Sequence, residues 1–167
     1  MRKELNNHAY IDANNLFRGI NSLGWKLDYK KFRRFLSDRH GVNKAYLFMG
    51  FIPENEDLYR KLEDWGYVLV FKAVVRHDGV IKGNCDGELI LQAMADACLG
   101  SSDPFEKAVI VTGDGDFACL INYLEPRGKL AMVISPAVIQ CYILLKRATM
   151  KIIFLESLRS KLELLNP

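Results

Sequence analysis

The sequence predicts an α/β fold, a three-layer sandwich in which a mostly parallel central sheet is flanked by helices. Segments rich in β-branched and aromatic residues alternate along the chain with amphipathic segments of helical period. The strand segments do not alternate cleanly between apolar and polar residues, as expected when both faces of a sheet are covered. With 167 residues, half of them apolar, the chain can build one core but not two ordinary domains. We therefore expect one domain over residues 1–167.

Five apolar segments predict the strands of this sheet. The first ends at Asp12, and the fourth runs into the turn Gly113-Asp114-Gly115-Asp116. The predicted strands are 9–11, 45–51, 67–75, 108–112 and 130–134, and a further extended segment is predicted at 152–155.

Helical periodicity predicts helices in most of the segments between these strands. Asp28 is suited to cap a helix over 29–39 with a single apolar stripe. Leu58, Leu62 and Trp65 form a similar stripe that Gly66 ends. The segment 86–99 is apolar nearly all round, which predicts a buried helix. Further helices are predicted over 116–125, 137–147 and about 156–165, the last following a core of about 9–155.

Composition indicates a soluble, cytoplasmic protein. The first seven residues are polar and charged, which argues against a signal peptide, and no apolar segment approaches the length of a membrane span. The four cysteines are spaced too widely for a CxxC zinc or redox pair, so we expect reduced thiols packed as small apolar groups. The three histidines are isolated along the chain, and we assign them no catalytic role.

The distribution of charge is compatible with a polyanionic partner. The net charge is +3, but setting aside four aspartates discussed below leaves 23 basic residues against 16 acidic ones. A basic body around a small acidic focus suits a polyanion held near a cation-binding site. A solvated, mildly basic surface is an equally good interpretation of charge alone.

Those four aspartates follow predicted strands or begin a predicted helix. Asp12 ends the first strand, and Asp114 and Asp116 follow the fourth. In doubly wound sheets these strands are commonly neighbours where strand order reverses, and ligands bind there, beyond the carboxyl ends of the strands. Asp86 begins the predicted buried helix and can point into the same crevice, although a plain N-cap is an alternative role.

Other phosphate-handling folds lack their motifs here. The chain contains no GxxxxGK[ST], and Gly113-Asp114-Gly115-Asp116 is not a GxGxxG dinucleotide fingerprint. The first strand ends in Asp12-Ala13-Asn14, without the DxD of a phosphoaspartate phosphatase. Nucleotide kinase and dehydrogenase functions are therefore disfavoured.

Three segments together resemble a known family. Residues 10–16 (YIDANNL), 82–86 (KGNCD) and 111–117 (VTGDGDF) look like the signature stretches of NYN domains, the LabA-like branch of the PIN-like nucleases. The resemblance implies a PIN-like sandwich in which Asp12, Asp86, Asp114 and Asp116 are catalytic and bind Mg²⁺ or Mn²⁺. Asn15 matches an asparagine near the first acid.

Further roles follow from this resemblance and from the residue types. We expect RNA as the partner, with Asn15 and Lys82 contacting substrate, and Lys72 and Arg76 among the basic residues that track its backbone. Gln92 occupies a position where many branches of the NYN family carry another acidic residue. Asp96 is too far along the helix to replace it, about 15 Å from Asp86, and is expected to be solvated. Candidate stacking aromatics are Phe17, Trp25, Phe51 and Tyr142, of which Trp25 is the most plausible, although core packing is the default expectation for all four.

The leading hypothesis is a ribonuclease that hydrolyses phosphodiester bonds with a divalent cation. Two alternatives stay open on the same fold, namely a weakly active or inactive module that binds RNA or protein, and a small-molecule phosphohydrolase. A homodimer is one of the assemblies that the sequence leaves open.

Overall fold

The computed structural model describes residues 5–72, 75–77, 80–82, 85–98 and 100–165, with only the backbone described for 75–77 and 80–82. Within these ranges six strands form a parallel sheet, and two more form a short antiparallel hairpin. The strands are β1 (Asn7–Asp12), β2 (Val42–Gly50), β3 (Tyr67–Lys72), β4 (Val75–His77), β5 (Val80–Lys82), β6 (Ala108–Val111), β7 (Leu130–Ser135) and β8 (Ile152–Phe154).

Strand order in the main sheet is β3-β2-β1-β6-β7-β8, so the order reverses between β1 and β6. Ile11 of β1 is paired in register with Leu47 of β2 and with Val111 of β6. Because all pairs are parallel, the carboxyl ends of β1 and β6 lie side by side, as the sequence predicts. The segment predicted as extended, 152–155, supplies the edge strand β8.

Helices cover both faces of the sheet and complete the three layers. One core joins alternate residues of β1, Ala9 and Ile11, to the helices on one face, and the other packs Tyr10 against the helices opposite. The seven α-helices of the described chain are α1 (Ala13–Ser22), α2 (Tyr29–His40), α3 (Glu56–Asp64), α4 (Asp86–Ala97), α5 (Ala118–Leu124), α6 (Ile143–Ala148) and α7 (Arg159–Leu162). None of them is long and apolar enough to cross a membrane.

Helix starts illustrate how local chemistry and sheet geometry combine. Asp28 caps α2 by accepting the N–H of Lys31 at 3.0 Å, as predicted. Helix α1 was not predicted, although Asp12 caps it in the same way and Leu16 and Ile20, one turn apart, are both buried.

Several predicted elements differ from the observed ones. The strand predicted over 67–75 is observed as β3 over Tyr67–Lys72, residues 73–74 lie outside the described residues, and Val75 belongs to β4. The helix predicted over 137–147 begins only at Ile143, because the N–H of Tyr142 is held by the carbonyl of Gly113 at 2.9 Å. The helix predicted to reach about residue 165 ends at Leu162, and the N–H of Leu164 bonds the carbonyl of Lys26 instead.

Burial also corrects two expectations. Of the four cysteines only Cys141 is buried, whereas Cys98 and Cys119 are exposed, so packing as apolar groups holds for one thiol. In α3 the predicted stripe residue Leu62 is buried as expected, but Leu58 is 45% exposed, and Tyr59 faces the core in its place.

Helix α4 is amphipathic and not apolar on every side, contrary to the sequence prediction. Leu89 is fully buried, whereas Leu91 is 71% exposed. We therefore expect Leu89→Ala to lower the free energy of unfolding by about 2–5 kcal/mol, because it leaves a cavity. Leu91→Ala, the matched control on the same helix, should change it by less than about 0.5 kcal/mol. Urea unfolding of the two variants measures the difference, and equal losses would contradict this packing.

Candidate metal centre

Asp12 lies where β1 passes directly into α1, and both of its carboxylate oxygens are oriented by neighbours. Oδ1 accepts the N–H of Asn15 at 3.1 Å, which caps the helix. Oδ2 accepts the hydroxyl of Thr112 at 3.4 Å, across the pairing of β1 with β6. The side chain is half-buried. It is therefore held at the point where strand order reverses.

The loop after β6 carries the next two carboxylates. The N–H of Asp114 bonds Thr112 Oγ1 at 3.1 Å, so one threonine side chain contacts both Asp12 and the loop. Asp114 Oδ1 in turn accepts the N–H of Asp116 at 3.0 Å, which begins a short 3₁₀ turn. Asp114 is half-buried and Asp116 is exposed to solvent.

Two glycines in this loop are required by close packing. A Cβ on Gly113 would lie 2.6 Å from the carbonyl oxygen of Gln140, and one on Gly115 would lie 2.5 Å from the ring of Tyr142. Both distances are shorter than nonbonded contacts allow, so a side chain at either position would displace the segment that covers the loop. The alternation of glycine and aspartate thus has a steric cause.

Asp86 reaches the same place from the start of α4. Cys85 occupies the N-cap position without a side-chain hydrogen bond, so the alternative role of Asp86 as a plain N-cap is wrong. One carboxylate oxygen each of Asp86, Asp114 and Asp116 lie within 4.8 Å of one another. Asp12 is outside that group of three, but it is near enough for the charges of Asp86 and Asp114 to raise its pKa.

This geometry fits a hard divalent cation. Oxygen ligands lie about 2.0–2.6 Å from Mg²⁺, Mn²⁺ or Ca²⁺, so two ligands of one ion are separated by at most about 5 Å. The three clustered oxygens satisfy that limit, and the candidate ligands are carboxylates without a histidine or thiolate.

Burial has a strong effect on the carboxyl group of Asp12. Burial, followed by the charges of Asp86 and Asp114, raises its pKa from 3.8 to about 6, against the lowering effect of the bonds from Asn15 and Thr112. Burial and not mutual repulsion is therefore the main cause of the raised pKa.

The carboxylates open into a large crevice of about 1340 Å³. Asp12, Asp86 and Asp114 line it together with exposed basic residues and the exposed ring of Phe17. The basic residues are Arg18, Lys26 and Lys30. An acidic focus beside positive charge is the distribution that composition suggested.

The remaining candidate residues have different surroundings. Asn15 Oδ1 accepts the N–H of Gly113 at 2.8 Å, so this side chain joins α1 to the aspartate loop. Lys82 ends β5, and its side chain, like that of Arg76, lies outside the described residues, as do Gly83 and Asn84. Lys72 forms an ion pair with Glu88, with Nζ 3.0 Å from Oε1.

The aromatic candidates separate by exposure. Trp25, the most plausible stacking candidate, is only 4% exposed and belongs to the core, so the default expectation of core packing is confirmed and stacking by Trp25 is wrong. Phe17 and Tyr142 are 57% and 61% exposed. Phe51 is partly exposed and packs against Tyr59 and Phe71.

A second cluster of polar side chains, around Asp96, could not be foreseen from the resemblance or from the strand ends. Asp96 is not solvated, as expected, but 4% exposed, because it accepts the hydroxyl of Tyr10 at 2.7 Å and the amide of Gln92 at 2.9 Å. His8, isolated in sequence, lies 3.9 Å from Asp96 through Nδ1. The polar amide of Gln92 four residues before an aspartate was a signal that could have indicated pairing.

The parallel sheet, its two helical layers and the carboxylates at the strand-order reversal together define a PIN-like α/β sandwich. The chain belongs to the NYN domain family, whose model matches residues 9–156. NYN domains are generally nucleases that depend on divalent metal, and this chain has the acidic cluster that such chemistry requires.

A solved structure supports the fold independently. The chain is similar to a protein of unknown function from Vibrio parahaemolyticus, with a TM-score of 0.76 and 18% identity, over 98% of this chain and 99% of that one. At this identity the likeness concerns the fold alone. No curated protein matches the sequence.

The raised pKa of Asp12 predicts how metal-free stability depends on pH. The native state binds more protons than the unfolded state between pH 3.8 and about 6, so stability falls as pH rises through that interval. Asp12→Asn keeps a cap oxygen but cannot ionise. We expect it to raise the free energy of unfolding at pH 7 by on the order of 2 kcal/mol, with the gain disappearing below about pH 4.

Asp28→Asn is the matched control, because it makes the same change at the cap of α2. Both variants and the wild type are unfolded with urea in chelator at pH 4, 5, 6 and 7. A gain for Asp12→Asn that does not vary with pH, or that equals the effect of Asp28→Asn, would contradict the assignment.

Proposed function

We propose that this chain is a ribonuclease that hydrolyses RNA phosphodiester bonds with Mg²⁺ or Mn²⁺ held by Asp12, Asp86, Asp114 and Asp116. The observation that carries the proposal is the convergence of three carboxylate oxygens within 4.8 Å, beside Asp12, in a chain of the NYN family. The resemblance of its three signature segments supports the LabA-like branch, and composition supports a cytoplasmic location.

Each ligand would be held by a different part of the scaffold. Asp12 is fixed by the N–H of Asn15 and the hydroxyl of Thr112, and Asp114 by the N–H of Asp116. Because these bonds orient the carboxylates before substrate arrives, little reorganisation is needed during the reaction. A divalent cation in such a site lowers the pKa of a bound water and neutralises charge on the leaving oxygen.

Asn15 acts, in this proposal, through the loop as well as through substrate. Its Oδ1 holds the N–H of Gly113 at 2.8 Å, one residue before Asp114. The side chain therefore positions a metal ligand, which accounts for an asparagine three residues after Asp12. Contact of its amide with a phosphate would use the remaining donor hydrogens.

Substrate binding is assigned to the crevice. Exposed Arg18, Lys26 and Lys30 supply the positive charge that holds an RNA backbone independently of sequence. Lys82, at the end of β5, is proposed to contact phosphate near the cluster.

A homodimer is proposed as the assembly, and the mass of the protein in solution tests it.

Asp116→Asn should reduce RNA cleavage by roughly 100-fold or more while RNA binding persists, because binding depends mainly on the basic residues. The control is Asp38→Asn, which changes an exposed aspartate of α2 that is paired with neighbouring Arg34. Cleavage of labelled single-stranded RNA, structured RNA, DNA and mononucleotides is measured with Mg²⁺, with Mn²⁺ and with chelator.

Four outcomes would contradict the proposal. Activity in chelator would exclude the metal, and equal activity of wild type and Asp116→Asn would show that a contaminant cleaves. Tight RNA binding by wild type with no cleavage in either metal would instead support the inactive binding module. Turnover of mononucleotides alone would support the phosphohydrolase.

Tyr142 is the best-placed aromatic residue for stacking a base near the cluster. Its ring packs on Gly115, between the two aspartates of the loop, and it is 61% exposed. Stacking on an aromatic ring stabilises a bound base by about 1–3 kcal/mol. We expect Tyr142→Ala to raise KM for single-stranded RNA roughly tenfold with a smaller change in kcat, and Tyr142→Phe to restore KM. Ile139→Ala, at an 89% exposed position of the same segment, serves as the control, and an equal rise in KM there would argue against stacking.

A further inference from the structure

The edge of the sheet opposite the aspartate cluster carries a second group of ligand-type side chains. His8 is the second residue of β1, Asp96 lies in the last turn of α4, and Asp103 lies in the segment before β6. One atom of each lies within 4.8 Å of the other two, and His8 Nδ1 is 3.9 Å from Asp96 Oδ2. Three distant parts of the chain therefore meet around one point.

The histidine of this group is deeply buried. His8 is 1% exposed, and its Nδ1 is buried with no hydrogen-bond partner among the described residues. Buried polar atoms are rarely left unsatisfied, so each such atom calls for an explanation. An imidazole nitrogen without a hydrogen-bond partner can offer its lone pair to a metal ion.

Both carboxylates are held by outer partners in the way that metal ligands usually are. Tyr10 donates its hydroxyl to Asp96 Oδ2 at 2.7 Å, and Tyr46 donates to Asp103 Oδ2 at 2.7 Å. Lys44 Nζ lies 2.7 Å from Asp103 Oδ1. Each carboxylate oxygen retains a second lone pair after one such bond. Outer hydrogen bonds of this kind orient ligands and tune their basicity.

We propose that His8, Asp96 and Asp103 form a structural metal site for a divalent transition ion, with Zn²⁺ as the preferred occupant. An imidazole nitrogen with two carboxylates suits Zn²⁺ or Mn²⁺, whereas Mg²⁺ and Ca²⁺ prefer oxygen ligands alone. Among the first-row ions Zn²⁺ binds such a site more tightly than Mn²⁺. The side chain of Asp103 is 31% exposed, so the group can be reached from solvent on that side.

The proposed site lies at the opposite end of α4 from the nuclease centre. Asp86 begins α4 at the proposed catalytic centre, and Asp96 lies ten residues further on, about 15 Å along the axis. Metal binding at the far end would tie α4 to β1 and to the segment before β6. The proposed ion is thus separate from the Mg²⁺ or Mn²⁺ of the nuclease centre and does not depend on nuclease activity.

Zinc stoichiometry tests this site directly. The full chain carrying Asp12→Asn and Asp116→Asn, which removes two ligands of the proposed nuclease centre, is stripped with chelator, loaded with Zn²⁺ and freed of excess by gel filtration. We expect one Zn²⁺ per chain and a higher melting temperature than the stripped protein. X-ray absorption should show nitrogen and oxygen ligands, since sulfur would indicate the exposed Cys98 or Cys119.

Adding Asp103→Asn to that background should lower Zn²⁺ affinity at least tenfold and abolish the rise in melting temperature. The amide oxygen still accepts the bond from Tyr46, and circular dichroism establishes that the variant folds. Asp38→Asn in the same background is the control and should bind zinc normally. The site is wrong if the background protein binds no zinc, if the ligands are sulfur, or if Asp103→Asn leaves affinity unchanged.

Discussion

The parallel pairing of β1 with β6 is the constraint on which the rest of this molecule depends. It joins residues about one hundred positions apart, His8 with Ala108 through Ile11 with Val111. Because the strands run in the same direction, Asp12 and the loop after Val111 leave the sheet at one edge. The hydroxyl of Thr112 then contacts the carboxylate of Asp12 and the N–H of Asp114, which holds the two strand ends in fixed register.

Clustering carboxylates at this edge costs solvation, and the fold offsets part of that cost with backbone dipoles. Asp12 caps α1, and Asp86 occupies the first turn of α4, so two helix N-termini face the negative charge. Asp114 also receives a backbone N–H from Asp116. These donors do not fully compensate burial, since the pKa of Asp12 remains raised to about 6. A site that is electrostatically incomplete on its own is suited to receive a cation.

At the opposite edge of the sheet, polar groups are buried within an aromatic core. Tyr10 and Tyr46 stack with ring centroids 5.5 Å apart, and each hydroxyl finds a carboxylate. Burial and the bond to Asp96 raise the pKa of Tyr10 far above its usual range, so the phenol stays protonated and acts as a donor. Tyr10 belongs to β1, as does Asp12, so this strand contributes to the aspartate cluster at one end and to the group around Asp96 at the other.

Much of this arrangement could be predicted from residue types that act locally. The apolar segments fixed the positions of the central strands, Asp28 indicated the start of α2, and Gly113-Asp114-Gly115-Asp116 indicated a sharp turn after β6. Each of these features depends on neighbours within a few residues. The candidate metal ligands were therefore recognisable from their places after strands or, for Asp86, at the start of a helix.

Other features were decided only by contacts between distant segments. Residues 137–142 have helical composition, yet the N–H of Tyr142 donates to the carbonyl of Gly113, and α6 begins only after it. Asp96 has the sequence context of a solvated helix end, but Tyr10 and Gln92 bury it. The sequence by itself determined where strands, caps and turns form, because these depend on local backbone preferences and apolar periodicity. Only the tertiary structure decided which polar groups meet, because a hydrogen bond across a hundred residues exists only once the sheet order has brought its partners together.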